Sequence, residues 1–332
     1  MILRLFGILL LCTLLGAGWL YYDLQRFGDT PLNLPPEGIP YLLTPGGSIK
    51  TVAEGLHGQG VLERPLYLRL LGRLDGSASR LRAGEYRIPA GMTPKGLLQL
   101  LASGKVVTHS LTLVEGWTFR QVRAAVAGHE ALEQTLTGLS DEEVMARLGY
   151  PGQHPEGRFL AETYHFPRGA RDLEFLQRAY RALEETLASA WEERAANLPL
   201  HDPYQALILA SIVEKETGLA EERPQIAGVF VRRLNKGMLL QTDPTVIYGL
   251  GEDFDGNLRR RDLEQDGPYN TYTRAGLPPT PICIPGKAAL YAALHPQEGD
   301  SLYFVAKGDG SHYFSTNLAE HTQAVRRYQL KR

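Results

Sequence analysis

Residues Leu5 to Tyr22 read LFGILLLCTLLGAGWLYY, an uncharged apolar run at the start of the chain. As a helix it is about 27 Å long, enough to cross a bilayer's hydrocarbon with some thinning. Trp19, Tyr21 and Tyr22 stand where an aromatic belt stands on the far side. Arg4 and the amino terminus precede the run, a small bias toward a cytoplasmic N-terminus. The rival is a cleaved signal peptide with Gly16-Ala17-Gly18 as its small-residue site; run length and aromatic belt favour an uncleaved anchor. The residues before Cys12 lack the small side chains expected ahead of a lipidated cysteine. Either reading exports everything after Asp23, and the terminal position argues against a buried core helix.

The rest of the chain reads as an ordinary globular sequence. It has 332 residues in all, 43% of them hydrophobic and 22% charged, which excludes wholesale disorder and suggests two domains. With 35 basic and 37 acidic residues no polybasic field exists to hold a phosphate backbone, so nucleic acid is not an expected partner. Cys12 and Cys283 lie far apart in contrasting contexts, and no bridge is expected.

Residues 26–40 are rich in Pro and Gly and read as a tether. A pattern then recurs: short strand, glycine turn, Ser or Thr cap, amphipathic helix, beginning at Tyr41, Tyr86 and Leu111. With a further helix at 65–74, this grammar suits a small α+β binding module, although it is also generic to α+β proteins. Residues 141–198 are mostly helical, with an irregular aromatic segment, 155–166, that looks like a lining loop. Helices are expected at 203–217, stopped by Gly218, and at 224–236, stopped by Gly237. Beyond Gly237 the chain reads as long loops, a helix at 286–294 and a hairpin turning at Gly308-Asp309-Gly310.

The sequence holds no HExxH, CxxC, GxSxG, Walker or GxGxxG motif, so neither a metal nor a cofactor is expected. That leaves carboxylates. At about 100° per residue, Glu216 shares a stripe with Val213, Ile212, Leu209 and Gln205, whereas Glu214 lies about 200° away with Ser211, Ala210 and Leu207. Burial and the negative end of the helix dipole should raise the pKa of Glu216, as a general acid needs. A solvated last-turn residue is the equally weighted alternative. Asp243, in LQTDPT, is the obvious second carboxylate for a two-carboxylate glycosidase, but Pro244 behind it favours a turn or capping role.

Four segments then carry a resemblance: LASIVEKETG (209–218), GMLLQTDPTVIYGLG (237–251), YNTYTRAGLPPTPICIPG (269–286) and LYFVAKGDGSHYFSTNLAEH (302–321). Together they closely resemble the endolytic murein transglycosylases, the YceG-like family, over nearly the whole chain. The resemblance implies an inner-membrane anchor with the bulk of the protein in the periplasm. It implies a LysM-like subdomain ahead of the catalytic domain, and cleavage of nascent peptidoglycan between N-acetylmuramic acid and N-acetylglucosamine. It implies an essential glutamate on the second Glu of EKET, Glu216, with Thr217 where other lytic transglycosylases place a Ser. In RFLAETY (158–164), Ala161 and Glu162 stand where the family usually has Pro and Asp.

The expected fold is α+β. A single transmembrane helix (1–22) leads through a linker (23–37) into a LysM-like subdomain (38–110) and a larger mixed α+β catalytic domain (111–332). The expected activity is a lytic transglycosylase that leaves 1,6-anhydro-muramic ends and terminates strand elongation. Glu216 would protonate the glycosidic oxygen and then, as a base, deprotonate the muramic 6-hydroxyl. Gln241, Thr242, Asp243, Tyr248, Asn270 and Tyr272 are candidate substrate-binding residues, and Glu214 is the second-choice catalytic or orienting residue. Glycan strands are the expected partner, with inner-membrane wall-synthesis enzymes as candidates beside them. The competing readings are a catalytically silent wall-binding adaptor and a hydrolytic muramidase using Glu216 with Asp243.

Overall fold

The computed structural model describes residues 2–330. The amino terminus that contributes to the charge bias lies outside them, as do the last two residues. The chain divides into two compact units, one of residues 1–109 with 166–169, the other of residues 110–165 with 170–332.

The first unit opens with α1 (Ile2–Asp29), longer than the apolar run itself. Its segment Arg4–Asp29 is apolar and long enough to cross a membrane, with a mean hydropathy of 1.8. The helix continues seven residues past Tyr22, so the first part of the expected tether is helical. Its end is fastened: Asp23 accepts from Arg64 Nη1 and the Tyr67 hydroxyl, each at 2.8 Å, and Leu24 is buried. Next come β1 (Ile39–Leu43), α2 (Ile49–Gly58), α3 (Pro65–Leu74), β2 (Gly84–Ile88) and α4 (Pro94–Ser103). Strands β1 and β2 pair antiparallel, with Tyr41 opposite Tyr86. Ser48 and Thr93 cap α2 and α4 as their residue types dictate. Leu56, Leu68, Tyr86, Ile88, Leu97 and Leu98 fill the core between them.

After β3 (Thr108–Thr112), the second unit runs through α5 (Phe119–Ala127), β4 (Leu132–Glu133), α6 (Asp141–Leu148), β5 (Thr163–Pro167), β6 (Ala170–Arg171) and α7 (Asp172–Glu192). It continues with α8 (Pro203–Glu216), α9 (Arg223–Asn235), α10 (Asp243–Leu250), α11 (Arg260–Glu264), α12 (Lys287–Leu294), β7 (Tyr303–Ala306), β8 (His312–Ser315) and α13 (Leu318–Tyr328). Helix α8 is the axis of this unit and packs against α7, α9, α10 and α12. Residues 206–213 are all buried. The helix therefore has no solvent face along most of its length, unlike the one-sided stripe that the spacing suggests. Asp202 caps it, accepting from the Gln205 amide at 2.8 Å, and Pro203 occupies its first turn.

Two local expectations change. Helix α8 ends one residue earlier than the stop at Gly218 suggests, because Thr217 turns to extended geometry with its side chain buried. The segment LLQTDPTVIYG is not a long loop: its second half forms α10, with Pro244 in the first turn, where a proline costs no hydrogen bond. The expected hairpin is β7–β8, antiparallel with Ala306 opposite His312. Gly308 and Gly310 supply its turn with φ of 91° and 92°.

Candidate active site

The last turn of α8 delivers Glu216 to the floor of a cavity of about 420 Å³. The turn before α10 brings Gln241 and Thr242 to it, and the first residue of α10 brings Asp243. Arg233 comes from α9, Tyr303 and Phe304 from β7, His312 from β8, and His321 from α13. Tyr272, from the loop after α11, closes the rim.

Glu216 accepts a hydrogen bond from the Thr242 hydroxyl on Oε1. Burial pushes its pKa up to about 7, with Asp243 raising it further; the Thr242 bond and the charges of His312 and Arg233 oppose the shift. The carboxyl thus keeps its proton to far higher pH than an exposed glutamate does, and it lines the cavity. Thr242 is itself fixed: its amide donates to Thr271 Oγ1 at 3.1 Å, and its carbonyl accepts from Thr245 Oγ1 at 2.8 Å. The bend that aims it places Gln241 at φ 48°, in the left-handed region, with its amide on the Thr271 carbonyl at 3.0 Å.

The expected site residues are dispersed unequally. Gln241, Thr242, Asp243 and Tyr272 gather around Glu216. Asp243 does not cap α10: it is the first helical residue, behind Thr242, and its Oδ1 accepts from the Tyr272 hydroxyl at 2.5 Å. Tyr248 lies elsewhere, donating to Glu156 Oε2 at 3.0 Å in a separate cavity of about 710 Å³. Burial pushes Glu156 up to about 7, against the pull of Tyr248 and the Phe119 amide. Asn270 is buried and structural, donating from Nδ2 to the carbonyls of Asp262, Leu263 and Gln265 and accepting from the Tyr272 amide. Glu214 points away from Glu216, accepting from Arg223 Nη2 at 3.1 Å and the Gly286 amide at 2.9 Å.

Two cavity residues carry no short-range signal of their role. Arg233 is buried, its Nε on the Leu302 carbonyl and Nη1 on the Leu240 carbonyl, its guanidinium over the Tyr303 ring. His312, on β8, meets Glu222, in the turn just after α8.

The model of the YceG-like family matches residues 42–327. The chain belongs to the YceG-like family. It is 33% identical over 304 residues to an endolytic murein transglycosylase of Bacillus subtilis, covering 85% of this chain and 82% of that one. A Streptococcus pneumoniae protein of the same name is 27% identical over 355 residues; the match takes in 96% of this chain and 63% of the relative. A crystal structure of a YceG-like protein of Listeria monocytogenes superposes with a TM-score of 0.56 at 29% identity, over 87% of this chain and 99% of that one.

Proposed function

We propose that the chain is a lytic transglycosylase that cuts peptidoglycan glycan strands internally, between N-acetylmuramic acid and N-acetylglucosamine, leaving 1,6-anhydro-muramic ends. Family membership and relatives named endolytic murein transglycosylase support the enzyme class. The observation that carries the mechanism is the placing of Glu216, a carboxyl that lines the cavity, accepts from the Thr242 hydroxyl and has its pKa pushed up to about 7 by burial. Its proton goes to the glycosidic oxygen as the bond to C1 breaks. Positive charge spreads over the sugar ring, within reach of the substrate's own acetamide oxygen. The muramic 6-hydroxyl closes on C1 in place of water and gives its proton to the Glu216 carboxylate, which restores the acid. Thr242 orients Glu216, and Gln241, Asp243 and Tyr272 offer hydrogen bonds to sugar substituents.

The muramidase alternative needs Asp243 free to activate water or attack the sugar; its bond to Tyr272 favours an organising role. The apolar α1 supports a single-pass inner-membrane protein with a cytoplasmic N-terminus and a periplasmic catalytic domain over 111–332. The β1–α2–α3–β2 order supports a LysM-like glycan-binding subdomain over 38–110. Stopping strand elongation beside wall-synthesis enzymes is the role that this placement suits. The test is Glu216→Gln, which keeps shape and the Thr242 bond but has no transferable proton. Release of anhydro ends should fall by at least about 10²–10⁴-fold with the fold intact; turnover near the wild-type rate would refute the assignment.

A further inference from the structure

The cavity of about 710 Å³ around Glu156 has the make-up of a binding site. Phe119, Pro155, Ile247, Tyr248, Tyr269 and Ile282 form its walls, with Glu156 set among them. Glu156 is 4% exposed. Its Oε1 accepts from the Phe119 amide at 2.9 Å and its Oε2 from the Tyr248 hydroxyl at 3.0 Å. Both donors are neutral, and the carboxyl keeps acceptor capacity beyond them. Two rings are fixed beside it. Tyr248 and Tyr269 meet edge to face with centroids 4.9 Å apart, and the Tyr269 hydroxyl is tied to Thr280 at 2.8 Å. Mostly apolar walls with a convergent polar group are the composition of a small-ligand site. This cavity also neighbours the one at Glu216. Lys215 and Pro244 line it, whereas Glu216 and Asp243, the residues next to them in the chain, line the other. Consecutive Cα atoms are about 3.8 Å apart. A single wall, the last turn of α8 with the first turn of α10, therefore stands between the two cavities.

We propose that this second cavity is a glycan subsite, holding an N-acetylated sugar of the same strand beyond the bond cut at Glu216. This rests on the transglycosylase reading above. A strand cut internally continues on both sides of the broken bond, and a cavity one wall away lies within reach of its next sugars. The acetamide is the group that suits Glu156. Burial pushes that carboxyl up to about 7. Near neutral pH it accepts from an N–H when ionised and donates to a carbonyl when protonated, and an acetamide offers both. The acetamide methyl and the C–H face of the sugar ring find Ile247 and the rings of Tyr248 and Tyr269. The stem peptide, with its carboxylates, fits less well. Arg120 and Lys215 stand there against Asp141 and Glu156, and Arg120 is already paired with Glu252, so no net positive field draws an anion in.

The test uses purified full-length protein in detergent on peptide-free glycan strands of graded length, counting and identifying the cut ends. Wild-type kcat/KM should climb with length until a strand fills the second cavity. Ile247→Trp fills that cavity from α10. It should lose about 10-fold of kcat/KM on long strands, mostly through KM, and the loss should shrink as strands shorten. Arg120→Trp crowds the same cavity from an exposed position, 69% open to solvent, where substitution leaves the fold intact. It should give the same dependence on length with a smaller loss. Wild-type kcat/KM in both variants at every length would overturn the proposal. So would an equal loss at every length, the mark of a displaced α10, and so would a loss confined to strands that still carry peptides, which would give the cavity to the stem peptide. Reducing ends from wild type would overturn the transglycosylase reading, while the length series would still decide the subsite. Strands left intact by wild type would overturn both.

Discussion

Glu216 is held protonated by its surroundings, and this has a thermodynamic consequence apart from catalysis. Its folded-state pKa, about 7, exceeds its ordinary value of 4.5. The folded protein therefore binds that proton more tightly than the unfolded chain does. The stability this contributes is complete below 4.5 and is lost as pH rises through about 7. Above that, the buried carboxylate is a liability of roughly 3 kcal/mol at about 1.4 kcal/mol per pKa unit. Glu216→Gln should accordingly be more stable than wild type at pH well above neutrality and lose that advantage in acid. Urea unfolding at both ends of the range measures it; a variant less stable than wild type at alkaline pH would contradict the burial argument. The stripe shared with Val213 and Leu209 makes Glu216 a candidate in the sequence but leaves a solvated last-turn residue equally weighted, and the resemblance of the EKET segment is what singles it out. The Thr242 hydroxyl that binds it is not legible there, because the contact joins residues 26 apart through the bend at Gln241.

At the scale of elements, α8 can be bounded to within a residue because Asp202-Pro203 starts it and Thr217-Gly218 ends it. Helix α10 is harder to read. DPTVIYGL is short and comes after a turn-like QT, although a proline in the second position is a helix-start signal. Reading it as a loop puts Tyr248 in the wrong place. On a helix it stands about 140° around from Asp243, so the two face different cavities. Asn270 is similarly illegible, since its three carbonyl partners come from the neighbouring loop and no spacing encodes them. Glu214 tests the element scale directly. Its partner Arg223 is 10% exposed and Glu214 is 6% exposed, so the pair is a buried clamp between α8 and the start of α9. Arg223→Met should cost about 3–5 kcal/mol by stranding the carboxylate. Glu214→Gln, which still accepts from the Gly286 amide, should fold and retain measurable turnover. Unfolding midpoints and strand-cleavage rates check both; an inactive, fully folded Glu214→Gln would give that residue a direct part in the chemistry.

For the whole molecule, the apolar N-terminus and the mixed α+β composition are legible because both are written in runs and periods. The convergence of five elements on Glu216 is not, and it emerges only with the packing around α8. The anchor reading predicts that the protein sediments with membranes and resists extraction by carbonate and high salt; a soluble form beginning near Trp19 would establish cleavage instead. The central claim, closure by the substrate's own hydroxyl, is tested most directly by mass spectrometry of glycan ends formed in heavy-oxygen water, for wild type and Asp243→Asn side by side. The ends should be 1,6-anhydro-muramic, lighter than hydrolytic ends by one water and unlabelled, with Asp243→Asn only partly impaired. Labelled reducing ends from wild type, together with an inactive but folded Asp243→Asn, would contradict it and make the chain a two-carboxylate muramidase.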